Sequence, residues 1–256
     1  MGEKIKKSLW DFFLFISFFL EIMGESFKVW KTRKTSLPVI VRQILFTGVE
    51  SLPIVMFVAL GVGGLIILQG YNLLSNFGQS NWIHMILVTV VIRELSSIFT
   101  ALIVIARSGT AISTELGNMV VNKEIDLLRS FNISPISYLV TSRVIGVVVA
   151  MFILTIYFNL TAVLGGWFFS SLFSKIDFWS FMSGFSNSIK IGDILISTIK
   201  SVVFGLIIAM ISCYQGLQVK FALTEVPQRT IRAVVQAMVF VIVFDVVITW
   251  IFYYIS

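Results

Sequence analysis

Five stretches of the chain are long and apolar enough to cross a lipid bilayer as helices. They lie at about 50–70, 82–106, 144–170, 196–214 and 234–255. A bilayer core of roughly 30 Å requires about 20 apolar residues in α-helix, and a lipid-exposed backbone must satisfy its own hydrogen bonds. The composition agrees, with 57% hydrophobic and 12% charged residues and a mean hydropathy of +0.98. We therefore predict an all-α, multi-pass membrane protein.

A further apolar segment, at about 5–28, precedes these five stretches and has a different pattern. Polar residues recur every three to four positions, apart from an apolar gap at Leu14, and leave a Phe-rich opposite face; they are Lys7, Asp11, Ser17, Glu21 and Lys28. This spacing predicts an amphipathic helix that lies in the membrane interface and does not cross it. The predicted chain is a single domain, 1–256, in which an N-terminal interfacial region, 1–48, precedes a five-span core, 49–256.

The positions of lysine and arginine predict the orientation of the chain. Fifteen of these residues fall in 1–50, 107–143 and 215–233, whereas the stretches 71–81 and 171–200 hold three: Lys175, Lys190 and Lys200. Basic residues accumulate in cytoplasmic loops. The expected topology has the N-terminus in the cytoplasm and the C-terminus on the opposite side of the membrane.

Two adjacent charges, Arg93 and Glu94, interrupt the second apolar stretch near its middle. Charges at that depth are costly and usually face a bundle interior or a wet cavity. Neighbouring residues point about 100° apart on a helix, so each of the two requires a partner elsewhere. They are candidates for a substrate cavity, and the alternative is a structural ion pair that locks helices together.

Asp245 lies midway along the last apolar stretch and raises the same question. A buried carboxylate either is protonated or pairs with a basic residue of another helix. We expect mainly an interhelical role for Asp245. The single histidine, His84, has no His or Cys neighbours with ligand spacing, so no metal site is expected.

The connection 107–143 is too long for a simple turn and carries a patterned segment. Charged and apolar residues alternate from Lys123 to Arg129, Asn122 is a candidate N-cap, and Asn132 and Pro135 end the pattern. Ile125, Leu128 and Phe131 would then share one face. The prediction is a short cytoplasmic helix that an ATPase subunit could contact, although an ordinary interfacial loop helix fits the pattern equally well.

The chain contains no G-x-x-x-x-G-K-[ST] sequence and no cluster typical of a catalytic site. We therefore expect neither enzymatic activity nor a bound cofactor, and the scattered basic residues do not predict nucleic-acid binding. An ion-coupled secondary transporter remains an alternative, with Glu94 or Asp245 as its proton site, although no internal repeat is visible. A membrane scaffold without transport activity is the other alternative.

Several motifs resemble the MCE-associated ABC transporter permeases of the MlaE/YrbE type. The most recognisable block runs from Arg93-Glu94-Leu95 through Ala106-Arg107-Ser108-Gly109-Thr110 and Glu115-Leu116-Gly117-Asn118-Met119 to Glu124–Arg129. Other matches are Gly48–Pro53, Leu68-Gln69-Gly70, Lys200–Gly205, Cys213–Gly216 and Arg229–Val235. The resemblance covers nearly everything after about residue 40.

This resemblance implies a permease that moves phospholipids or related lipids between the inner and outer membranes of a bacterium. The implied partners are a second copy of the chain, a separate ATP-binding cassette ATPase, a periplasmic MCE-domain lipid-binding subunit and a small cytoplasmic STAS-like accessory subunit. The implied location is the inner membrane. The expected substrate cavity comprises Leu68, Arg93, Glu94, Leu95, Lys200 and Asp245, and the expected ATPase-coupling segment comprises Glu115, Glu124, Ile125, Asp126, Leu128 and Arg129.

Overall fold

The computed structural model describes residues 37–75, 82–174, 177–220 and 222–255, and every regular element in these ranges is helical. Five of the described helices have the length and apolar character needed to cross a membrane: Pro38–Tyr71, Ile83–Val121, Ile136–Phe173, Ile191–Leu217 and Glu225–Tyr254. The all-α class and the five spans are therefore confirmed. The interfacial helix predicted at about 5–28 lies outside the described residues.

The helices follow one another with short connections. The first span joins α1 (Leu37–Gly48) to α2 (Leu52–Ser75) through the 3-10 turn Val49–Ser51. The second span is α3 (Ile83–Val121), and α4 (Glu124–Ser130) follows it. A π-helical turn, Ile136–Val140, leads into α5 (Thr141–Ser174), and the remaining helices are α6 (Phe178–Ser188), α7 (Ile191–Leu217) and α8 (Glu225–Ile255).

All five spans are longer than the apolar stretches predicted. For example, the first span begins at Pro38, α3 continues to Val121, and α7 begins at Ile191. At 39 residues, α3 is about 58 Å long at a rise of 1.5 Å per residue, which exceeds a bilayer core. Hydropathy marks the part of a helix that suits lipid, whereas the hydrogen-bonded helix continues into polar sequence.

Glycines allow the first and third spans to pack closely. A Cβ atom on Gly63 would lie 2.0 Å from the Ala162 carbonyl oxygen, and one on Gly165 would lie 2.8 Å from Leu60 Cα. Both distances are shorter than a side chain tolerates, so only glycine permits this approach of α2 and α5. Small residues at such contacts let membrane helices approach closely.

Helix α7 lies at the centre of the bundle and packs against α3, α5 and α8. Its buried residues include Phe204, Ile208 and Cys213 together with the charged Asp193 and Lys200. In contrast, α8 exposes a long apolar surface that includes Val235, Val239, Ile242, Val246 and Trp250. An apolar surface of this extent faces lipid or another protein chain.

Candidate functional site

A cluster of charged residues, formed by Arg93, Glu94, Asp193, Lys200 and Asp245, connects α3, α7 and α8. Arg93 begins the cluster at α3, where its Nε donates to Asp193 Oδ1 at 3.0 Å and its Nη2 contacts the same oxygen. Asp193 is buried in the first turn of α7, and its Oδ2 accepts from the Lys190 backbone N–H at 3.0 Å. A carboxylate at a helix N-terminus is stabilised by the free N–H groups there. Asp193 therefore has two independent sources of stabilisation.

Lys200 is the central cation of the cluster. Its side chain is fully buried, and its Nζ contacts Glu94 Oε2 of α3 and lies 2.8 Å from Asp245 Oδ1 of α8. The Asp245 contact is a close ion pair without hydrogen-bond geometry, because Asp245 Oδ1 has no hydrogen-bond partner in the part of the chain described. One ammonium group thus holds carboxylates from two neighbouring helices.

Two further residues of α8 complete the contacts with α3. The Thr249 hydroxyl donates to Glu94 Oε2 at 3.2 Å. The Arg93 guanidinium lies over the Phe252 ring, with Cζ 5.2 Å from the ring centroid, which is a cation–π distance. Each of the two adjacent charges of α3 therefore contacts both α7 and α8.

The cluster is graded in exposure, and this grading determines which charges a ligand could reach. The side chains of Arg93 and Glu94 are 21% and 27% exposed, whereas Lys200 is at 0% and Asp193 at 4%. With every group ionised, its three carboxylates outnumber its two cations. Arg93 is therefore the cation that an anionic ligand can reach without a large rearrangement of the bundle.

The structure corrects one predicted placement. Lys200 does not lie in the 171–200 connection where the charge count placed it, since it is buried within α7. Arg93 and Glu94 lie in the first third of α3, because the helix continues past the apolar stretch to Val121. Their π-helical segment, Leu87–Leu95, belongs to a helix type that is common at functional sites.

Most of the residues predicted for the cavity lie together. Arg93, Glu94, Lys200 and Asp245 form one connected cluster, and Leu95 follows it on α3 with a partly buried side chain. Leu68 is partly buried on α2, a helix that contributes no charge to the cluster. The sequence reasoning missed Asp193. Asp193 comes three residues after Lys190, at the start of an apolar run. An acidic residue often stands at this position in the first turn of a helix, so the pattern could have indicated it.

The predicted coupling segment forms the short helix α4. Ile125 is buried, Leu128 is half-buried, and Glu124, Asp126 and Arg129 are exposed. Phe131 is exposed and does not join their apolar face. Asn122 does not cap the helix, because the chain reverses through Lys123, which has a φ of 59°. Asn132, with a φ of 58°, follows the end of the helix as predicted.

Glu115 is separate from α4. Its Oε2 lies 2.9 Å from Arg143 Nη2 of α5, so the carboxylate connects α3 to α5. A second pair joins the same end of α3 to the first span, through Arg107 and Glu50. In the described ranges, no group of three His, Cys, Asp or Glu side chains has the arrangement of a metal site.

Comparison with known proteins gives the family. The family described as Permease MlaE matches residues 40–251. A probable ABC transporter permease protein of Rickettsia prowazekii is 33% identical over 219 residues, which cover 85% of this chain and 84% of that protein. A probable ABC transporter permease protein of Synechocystis is 29% identical, over 98% of this chain and 95% of its own. The intermembrane phospholipid transport system permease protein MlaE of Haemophilus influenzae is 29% identical, over 83% of this chain and 82% of its own. Taken with the five apolar helices, these matches show that the chain belongs to the MlaE permease family.

Proposed function

We propose that the chain is the membrane-spanning permease subunit of an ABC transporter that moves phospholipids or related lipids between the inner and outer membranes. The observation that carries the proposal is the family match over 40–251, which includes every residue of the charged cluster. The ATP-hydrolysing activity belongs to a separate ATPase subunit, since this chain has no phosphate-binding loop.

Arg93 is the proposed contact for the lipid phosphate. Its guanidinium is partly exposed, and a planar fork of N–H donors suits phosphate oxygens. When Arg93 turns toward a lipid, Asp193 keeps its hydrogen bond from the Lys190 N–H and its place at the α7 N-terminus. The carboxylate is thus stabilised in both states, which lowers the cost of exchanging one anion for another at Arg93.

Lys200 and Asp245 have a different role in this proposal. Because Lys200 is fully buried between two carboxylates, it holds α3, α7 and α8 in a fixed arrangement and does not bind lipid directly. Leu68 and Leu95 are proposed to contribute apolar wall for the acyl chains. Movement of α8 relative to α7 would separate Lys200 from Asp245. This ion pair would therefore oppose a conformational change of the cavity.

The coupling segment is proposed to contact the ATPase through α4. The exposed charges of Glu124, Asp126 and Arg129 are available to a partner, while buried Ile125 anchors the helix on the bundle. Glu115, through its pair with Arg143, would connect a movement at this end of α3 to α5. In this arrangement ATP binding changes the packing of α3 against the other spans.

The complete assembly is proposed to contain two copies of the chain, together with a periplasmic MCE-domain subunit and a small cytoplasmic STAS-like subunit. The exposed apolar surface of α8 offers area for pairing with the second copy. The N-terminus would lie in the cytoplasm and the C-terminus in the periplasm of an inner-membrane protein. Because Lys200 is buried in α7, the predicted periplasmic stretches keep two basic residues, Lys175 and Lys190. The predicted cytoplasmic stretches hold fifteen, and this excess supports the orientation.

Reconstitution tests the proposal. The full chain, co-purified with its ATPase and MCE subunits, is placed in liposomes that contain a fluorescent phospholipid, and transfer to acceptor liposomes is measured. We expect transfer that depends on ATP and stops when the ATPase carries a Walker-A lysine substitution. Transfer driven by a proton gradient with the inactive ATPase would support the secondary transporter, and assembly without any lipid transfer would support the scaffold.

A further inference from the structure

A second polar site lies at the opposite end of α3 from the charged cluster. It is a cleft of about 610 Å³ between α1, α3 and α5, with Arg42, Glu115 and Arg143 among its lining residues. Glu115 is 22 residues after Arg93, or about 33 Å along the helix. The cleft and the cluster therefore lie well apart along α3, toward its opposite ends.

The lining of the cleft combines two arginines with apolar walls. Arg42 is exposed on α1, and Val39 and Phe46, three residues before it and four after it, line the cleft beside it. Residues at these spacings share a helix face. Leu139 and Ala111 extend the apolar wall on the other side. The site is therefore amphipathic, with cationic groups beside a surface that suits hydrocarbon.

Arg143 is the more deeply buried of the two arginines. It is 6% exposed, and its Nη2 pairs with Glu115 while its Nη1 donates to the Leu139 carbonyl at 3.3 Å. Its Nε is buried and has no hydrogen-bond partner in the described part of the chain. A buried donor left without an acceptor is destabilising. Because Nε is closed to solvent in this structure, an anion in the cleft would become its acceptor only once the guanidinium turns toward the cleft.

We propose that this cleft binds the phosphate headgroup of an anionic phospholipid of the adjacent leaflet, with Arg42 and Arg143 on the phosphate and Val39, Phe46 and Leu139 against the upper acyl chain. Two arginines and one glutamate leave one net positive charge, which favours an anionic headgroup over a zwitterionic one. The apolar walls favour a lipid over free phosphate. The site is separate from the transported lipid and does not depend on the function proposed for the charged cluster.

Native mass spectrometry of the full chain in mild detergent tests this site. Phosphatidylglycerol, phosphatidylcholine and inorganic phosphate are titrated separately, and the bound fraction is measured for wild type, Arg42→Gln, Arg143→Gln and Arg232→Gln. Arg232 is the matched control, since it is an exposed arginine of α8 that does not line the cleft. We expect phosphatidylglycerol to bind in preference to both other probes. Arg42→Gln should weaken its binding about fivefold, Arg143→Gln at least tenfold, and Arg232→Gln not at all.

Three outcomes would overturn the proposal. Equal binding of phosphatidylcholine would remove the role of charge, and equal binding of inorganic phosphate would make the ligand a free anion. Unchanged phosphatidylglycerol binding in Arg42→Gln would place the lipid elsewhere. This variant changes only an exposed side chain, so the test holds even where Arg143→Gln disturbs folding.

Discussion

At the scale of single residues, Lys200 determines whether the charged cluster is stable. Among the residues that the structure describes, it is the one cation that contacts both Glu94 and Asp245, and it has no exposed surface. A buried ion pair adds little net stability, because desolvation offsets the attraction. Removal of one partner nevertheless leaves the others charged and unpaired, so the response to substitution is expected to be large.

We expect Lys200→Met to lower the free energy of unfolding by about 3–5 kcal/mol, because Glu94 and Asp245 lose their shared cation. Thermal unfolding in detergent measures the effect. Lys220→Met is the matched control, since Lys220 is exposed and lies beyond the C-terminal end of α7, away from the cluster. Equal thermal stability of the two variants would show that the carboxylates do not need Lys200.

Arg93 and Asp193 provide a second test, because their interaction and its proposed exchange for lipid can be separated. Arg93→Gln, Asp193→Asn and the double variant form a cycle, for which we expect a coupling energy of about 1–3 kcal/mol in stability. Lipid crosslinking and transfer should decrease about tenfold or more in Arg93→Gln and much less in Asp193→Asn. Equal loss in both single variants would indicate a purely structural pair.

At the scale of elements, the packing of α2 against α5 is close. It depends on the absence of side chains at Gly63 and Gly165, each of which faces the backbone of the other helix. Apolar surface alone provides little attraction between helices in lipid, so close packing and its many small contacts supply much of the stability. This makes the glycines sensitive positions.

Gly63→Ala is expected to destabilise the protein by about 1–3 kcal/mol, since the new methyl group must displace α5. Gly61→Ala on the same helix is the matched control: nothing lies within 4 Å of its Cβ position. At that site alanine should be neutral or stabilising by about 0.5–1 kcal/mol, from helix propensity. Thermal unfolding distinguishes them, and the same loss at both positions would contradict the packing described.

The element α4 gives a functional prediction. Asp126→Lys reverses an exposed charge without disturbing the core, so we expect a folded chain with ATPase binding and lipid-stimulated ATP turnover reduced several-fold. Lys220→Glu is an exposed charge reversal outside α4 and should leave turnover unchanged. Normal complex assembly and ATP turnover in Asp126→Lys would show that α4 is an ordinary interfacial helix.

At the scale of the whole molecule, the two polar sites lie toward opposite ends of α3. The charged cluster lies beside the N-terminus of α7, and the cleft of Arg42 and Arg143 lies toward α4. The proposed orientation assigns the first to the periplasmic half and the second to the cytoplasmic half. Under this assignment the periplasmic and cytoplasmic halves of the protein carry different polar sites, as directional transport between membranes requires.

Labelling with a membrane-impermeant maleimide tests this orientation. Buried Cys213 is replaced by alanine, and Lys190→Cys and Lys220→Cys are compared, since both positions are exposed at opposite ends of α7. In intact spheroplasts we expect labelling of the first variant, and of the second only after permeabilisation. The reverse pattern would invert the topology.

The five spans and the class of the fold were predictable from the sequence because the bilayer imposes a length and a composition on every crossing helix. The charges that require partners were predictable for the same reason, since Arg93, Glu94 and Asp245 stand out against apolar flanks. The family motifs added the expected partners and lipid substrate. None of these depends on how the helices pack.

Only the tertiary structure decided which charges pair. Asp193 and Lys200 lie near the edge of an apolar stretch, where hydropathy cannot distinguish a loop residue from a buried one, and their burial follows from the packing of α7 between α3, α5 and α8. The cleft at Arg143 likewise combines residues of three helices that are distant in the sequence. The sequence pattern of one helix reflects the surroundings of that helix alone. A site built from several helices forms only when those helices pack together.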